Sequence, residues 1–176
     1  MRRWLLSSWL LSSWLIVLVG CVPYAFEDTS PGRFEGDLRL RWIAPDLFAY
    51  EPDPQRPFRF IRPSGEVIEP GRMVTDGGSI PSVARGIDGL SRWGFAPAYV
   101  VHDWLFQRQR CGLVPGDEAG FAESVVVMAE ALRTLIGDHP DADDLARYRA
   151  IVSATASVFA HRHWNTSACR VLVEPW

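Results

Sequence analysis

From Asp37 onward, apolar and polar residues alternate in short runs. The segments "DLRLRWI", "LFAYEP", "FRFIRP" and "EVIEPG" are each cut off by Pro or Gly, as half-buried strands are. Pro63-Ser64-Gly65 reads as the turn of a hairpin. Residues 37–74 are thus predicted to form a small antiparallel sheet. Beyond Pro81 the period changes. Pro97 sits where a first helical turn accepts proline, and no Gly or Pro follows until Cys111-Gly112, which predicts a helix over 97–109. A second helix is expected from Pro115-Gly116-Asp117 to about Ile136, closed by Gly137. "DADDLARYRAIVSATASVFAHRHW" predicts a third, with acids in its first turn and Arg and His in its last, matching the helix dipole. The fold class that follows is α+β, with the sheet first and about three packed helices after it. The Val125–Val127 run and the tryptophans at 93, 104 and 164 read as core.

The N-terminus has a different character. "MRRWLLSSWLLSSWLIVLVGC" places two arginines before an apolar stretch of secretory length and ends in Leu18-Val19-Gly20-Cys21. Four serines weaken it as a permanent span, which needs about 20 mainly apolar residues. The segment resembles a bacterial lipoprotein signal. That resemblance implies cleavage after residue 20, diacylation of Cys21 and a membrane partner reached through the lipid. Residues 21–35, rich in Pro, Asp, Ser, Thr and Gly without periodicity, read as a tether, and 36–176 as a single globular domain. Val22, where inner-membrane retention often uses aspartate, suggests the periplasmic face of the outer membrane as the destination within the cell envelope.

Composition narrows the chemistry. All eighteen basic residues are arginine, so a Schiff-base or lysine-base mechanism is excluded. Loss of residues 1–20 removes two arginines and no acid, leaving sixteen arginines against twenty-one acids, a formal charge of −5. Nucleic acid is not an expected partner. Cys111 and Cys169 then remain as an even pair, which in an oxidising compartment reads as one disulfide, the alternative being two separate buried thiols. No phosphate loop, CxxC or serine-nucleophile elbow is present.

In "AYVVHDWLF", an adjacent His102 and Asp103 interrupt an otherwise apolar helix. Successive helical side chains diverge by about 100°, so the two must address different partners. His102 shares a stripe with Tyr99 and Phe106. A charge buried there without a partner would cost several kcal/mol, so either a hydrogen-bonding network or a metal is implied. In the first case Asp103 caps a nearby loop and His102 is a bonded core histidine. Upstream, "VTDGGSIP" sets Asp76 beside two glycines, in a loop able to aim carbonyls at a ligand, while its carboxylate suits a hard cation. His161 and His163, two apart on a helix, point to different sides and are poor joint ligands; with Arg162 they fit a cationic helix end.

"PGRMVTDGGSIP" followed by "AYVVHDWLF" resembles the phage- and bacteria-associated family known as domain of unknown function 1353, by layout over residues 37–165 and by motif over 70–106. The family label assigns no activity. The spelling His102-Asp103-Trp104-Leu105-Phe106 is also similar to the active-site helix of secreted calcium-dependent phospholipases. That likeness implies His102 as the base that activates water, Asp103 as a calcium ligand and the Asp76 loop as a second contributor. It further implies an orienting carboxylate from the next helix. Gly120 stands where such an acid could sit; Glu123 is level with His102 if the helices are antiparallel, and Glu118 is the less well placed substitute. The paired disulfides of those enzymes are missing. The expected function is a lipid-anchored envelope protein acting as a calcium-assisted hydrolase of a lipid or other ester. Its alternative is a non-catalytic envelope or prophage-derived interaction lipoprotein whose His and Asp residues form a structural network.

Overall fold

The computed structural model describes residues 24–78, 90–166 and 168–169. It has the α+β arrangement, with antiparallel strands first and helices after them. Among the described residues, six short strands precede the helices: β1 (Arg33–Glu35), β2 (Leu40–Ala44), β3 (Leu47–Tyr50), β4 (Arg59–Ile61), β5 (Val67–Ile68) and β6 (Met73–Thr75). They form two three-stranded antiparallel sheets, β1-β4-β5 and β2-β3-β6, not the one sheet expected. Alternation reveals where strands are but not which strands pair, and here the chain returns once to each sheet after leaving it. The hairpin at 63–65 is present: Gly65 N–H donates to Arg62 O at 2.9 Å, and Phe60 pairs with Ile68 across it.

The segment read as a tether is folded from Tyr24 onward. A turn of 3-10 helix at Phe26–Asp28 lays the Phe26 ring edge-on to Tyr148, with centroids 5.2 Å apart, under the Arg133 guanidinium. The Tyr148 hydroxyl lies 3.2 Å from Tyr24 O and 2.9 Å from Thr29 Oγ1. Phe34 on β1 stacks on Phe58 and meets Phe60. Two aromatic anchors, Phe26 and Phe34, therefore outweigh the loop-like composition around them, since each contributes a large apolar area at little conformational cost.

The helices are α1 (Ala96–Arg110), α2 (Glu118–Ile136), α3 (Ala142–Thr155) and α4 (Val158–Thr166). Pro97 lies in the first turn of α1, and the Asp117 carboxylate caps α2 by accepting from Gly120 N–H at 2.8 Å. Gly137, at φ +82°, ends α2 in a conformation that costs other residues strain. A capping box between Asp141 and Asp144 starts α3. The expected third helix is in fact two. The Thr155 and Ser157 hydroxyls bond back to the carbonyls of Val152 and Ala154, and Ser157 Oγ then accepts from Ala160 N–H at 3.3 Å. Hydroxyls that compete for backbone in this way end one helix and cap the next. Tyr50, Phe60 and Met73 from the sheets meet Val100, Leu132 and Tyr148 from the helices in one core. Trp164 and two of the three valines at 125–127 are buried as expected, while Trp93 and Trp104 are half-buried. Among the described residues, no helix is long and apolar enough to cross a membrane.

Candidate functional site

Helix α1 packs against α2, α4 and β6, which turns different sides of it toward different neighbours. Asp103 faces the end of β6. Thr75 Oγ1 donates to Asp103 Oδ2 at 2.6 Å and accepts from Gly77 N–H at 3.0 Å, so Asp103 holds the first turn after the strand through one hydroxyl. Gly78 N–H donates to Arg92 O at 2.8 Å on the far side of that turn. Gly77 has φ +75°, and a Cβ there would lie 2.4 Å from Arg92 O, so only glycine fits. Thr75→Val keeps the shape but strips Gly77 N–H and one Asp103 oxygen of a partner. It should cost about 1–3 kcal/mol in denaturant unfolding. A loss below about 0.5 kcal/mol would show that the clamp carries no stability.

His102 emerges about 100° farther round the helix. Its ring packs on Phe106, with centroids 4.7 Å apart, and Phe106 in turn meets Trp164 and His163 of α4. Only 8% of His102 is exposed, and its Nε2 has no protein hydrogen-bond partner. Burial above all, with the nearby charges of Arg110 and His163, drives its pKa down to about 3. The imidazole is therefore neutral at physiological pH. In the unfolded chain it takes up a proton near the ordinary value of about 6.5. Stability is then full above that pH and falls by roughly 1.4 kcal/mol per unit as the pH drops toward the folded value. The share due to His102 should reach about 3 kcal/mol by a pH of about 4. Unfolding curves of wild type and His102→Gln at several pH values check this: the variant should lose one proton's worth of slope, and parallel curves would refute the assignment.

His102, Asp103 and Asp76 all line one cleft of about 600 Å³, a size typical of small-molecule sites. Its other walls come from Met128 on α2, Ile151 and Ala154 on α3, and Phe159 and His163 on α4. Tyr99, one turn before His102, is buried in the same wall; its hydroxyl has no protein partner, and burial pushes its pKa up to about 12.

The other expected site residues lie elsewhere. Glu123 does not join His102. Its carboxylate accepts from Arg62, a buried guanidinium that also binds Glu66 at 2.7 Å and grips Glu130 through two bonds of 2.7 and 3.1 Å. Antiparallel counting sets the level of a residue along α2 but not the side on which it emerges; Met128, not Glu123, is the α2 residue at the cleft. Glu118 pairs with His161 of α4 at 2.8 Å, and His163 stands in the last turn of that helix. Gly120 faces Trp164, which a Cβ would approach to 3.2 Å, leaving little room for an orienting acid. Cys111 and Cys169 are joined by a disulfide, with Cα atoms 4.8 Å apart. Cys21 lies outside the described residues. Among the described residues, no group of three or more His, Cys, Asp or Glu side chains is gathered closely enough to hold a metal ion.

Tyr99, Arg110 and His163 were not singled out as site residues, though one signal was available. Tyr99, His102, Phe106 and Arg110 fall on one stripe of α1, spaced by three or four residues. Nothing comparable marks His163 or Phe159, which reach the cleft only because α3 ends where it does. No protein-family model, no curated protein and no solved structure matches the chain, so the family likeness of residues 70–106 rests on their two motifs.

Proposed function

We propose that this chain is a lipid-anchored protein of the cell envelope, tethered by diacylated Cys21 on the periplasmic face of the outer membrane, whose cleft binds a small molecule. The observation that carries the binding reading is the pair of buried, neutral polar groups without protein partners, Tyr99 and His102, in the wall of a mainly apolar cleft. Native proteins seldom leave such groups unsatisfied, and bound molecules or ordered water are the usual reasons when they do. Asp103 serves the fold in this reading, because its carboxylate holds the 75–77 turn. The membrane is a partner through the anchor alone. Mass spectrometry of the membrane fraction tests that part: a lipid-modified Cys21 at the new N-terminus supports it, and an intact Met1 or an unmodified Cys21 refutes it.

A second reading keeps the calcium-assisted hydrolase of a lipid or other ester. One observation favours it: a base must begin unprotonated, and His102 is held neutral with Nε2 uncommitted. Against it stands the engagement of both candidate carboxylates, Asp103 with Thr75 and Glu123 with Arg62. Calcium would need Asp76, Asp103 and carbonyls of the turn. Thermal melts of the full chain in calcium and in chelator separate the readings. Equal melting temperatures and no release of acid from ester substrates support binding alone. A calcium-dependent rise, with turnover abolished by His102→Gln, selects the hydrolase.

A further inference from the structure

We infer that the cleft takes a molecule with an apolar body and an uncharged hydrogen-bonding group, such as an amide, ester or alcohol, received by the Tyr99 hydroxyl and His102 Nε2. This deepens the binding reading above and rests on it. The two residues are three apart on α1, so their side chains emerge side by side from one face. Tyr99 is 98% buried and His102 92% buried, both line the cleft, and neither polar atom has a protein partner. A phenol donates and accepts, and a neutral imidazole offers one donor and one acceptor. Together they complement a group that is itself both polar and uncharged. Both atoms are shielded from solvent, so a ligand reaches them through the side-chain adjustments usual at binding sites.

The remainder of the wall favours an apolar body. Met128, Ile151, Ala154 and Ala160 face the same space, and Phe159, 75% exposed, stands at its edge. Four charged or titratable side chains also border the cleft: Asp76 and Asp103 from the turn and α1, and Arg110 and His163 from α1 and α4. Both signs are present, so no single ionic group is selected by the lining as a whole. Arg110 is the cation felt at His102, but it is already engaged and shares the cleft with Asp76 and Asp103, so an anionic head meets no dedicated counter-charge and a cationic head loses its hydration beside that guanidinium.

The full chain in lipid nanodiscs is melted in increasing N-hexylacetamide, hexanol, hexanoate and hexylammonium, and dissociation constants are taken from the rise in melting temperature. The amide and the alcohol should bind at least tenfold more tightly than either ion. Tyr99→Phe should weaken the amide about threefold to tenfold, as expected for one lost hydrogen bond. The melting temperature of ligand-free Tyr99→Phe should hold or rise, because the change removes a hydroxyl without a protein partner; that readout also shows the variant to be folded. If none of the four compounds binds, the binding reading itself fails and takes this inference with it. If they bind but hexanoate or hexylammonium is the tightest, or Tyr99→Phe leaves the amide unaffected, only the assignment of the polar pair is overturned.

Discussion

Arg62→Met should lower the stability of this domain by about 3–5 kcal/mol, a fall of about 6–20 °C in melting temperature for a chain of this size. Arg62 is buried at the end of β4, and its guanidinium bonds Glu66, Glu123 and Glu130 at once. The pair with Glu130 comes first among the causes that hold its pKa above the ordinary arginine range. Glu130 is nearly as buried as Arg62, so removing the cation strands a carboxylate away from water. The cost comes from that stranded charge and not from the net worth of the pair. A double replacement, Arg62→Met with Glu130→Leu, should therefore recover much of the loss. Glu66 and Glu123 are more than half exposed, and removing either should cost less than about 1 kcal/mol. Denaturant unfolding of the four variants checks the ordering, and a single-variant loss below about 1 kcal/mol would show that Glu130 finds water once Arg62 is gone.

Removing the Cys111–Cys169 disulfide should cost about 4 kcal/mol, from the entropy of freeing the 58-residue span it closes. The bond joins the C-terminal end of α1 to the segment beyond α4, the two helices whose Phe106, His163 and Trp164 rings meet beside His102. Its loss should therefore loosen α4 against α1 before the sheets are affected. Hydrogen exchange of Cys111→Ser with Cys169→Ser would report this as faster exchange in 158–166 with little change in β3 and β6. Uniform acceleration over the whole chain would mean that the disulfide stabilises the fold without particular regard to the cleft.

Much of the scaffold was legible from local chemistry. Asp117, Gly137 and the pair Asp141 and Asp144 each set a helix end through bonds to the nearest backbone, while Pro97 suits the first turn of α1 because the N–H it lacks would go unpaired there. Pro63-Ser64-Gly65 likewise marks its hairpin within four residues. The break at Ala156–Ser157 was missed because it depends on hydroxyls choosing carbonyls over solvent, a balance of about 1 kcal/mol that helix periodicity does not register. Strand partnership was missed for a related reason: period-two patterning orients side chains without naming a neighbour. Phe26 and Phe34 were hidden inside a segment whose composition resembles a linker, and their burial depends on Tyr148 and Phe60, far along the chain.

The candidate site divides the same way. The sequence by itself determined that His102 and Asp103 would look in different directions, since a helix allows nothing else. It also placed after Thr75-Asp76 two glycines that allow backbone shapes forbidden to other residues, and left Cys111 and Cys169 as an even pair. Only the tertiary structure decided what each direction meets. Asp103 reaches the hydroxyl of Thr75, 28 residues upstream, and Glu123 is drawn to Arg62, 61 residues upstream, while His102 and Tyr99 are left at a cleft closed by α3 and α4. Those outcomes turn on which buried charge finds which partner, and a local pattern cannot contain that, because the energy of a buried ion or hydrogen bond is set by groups brought together from distant parts of the chain.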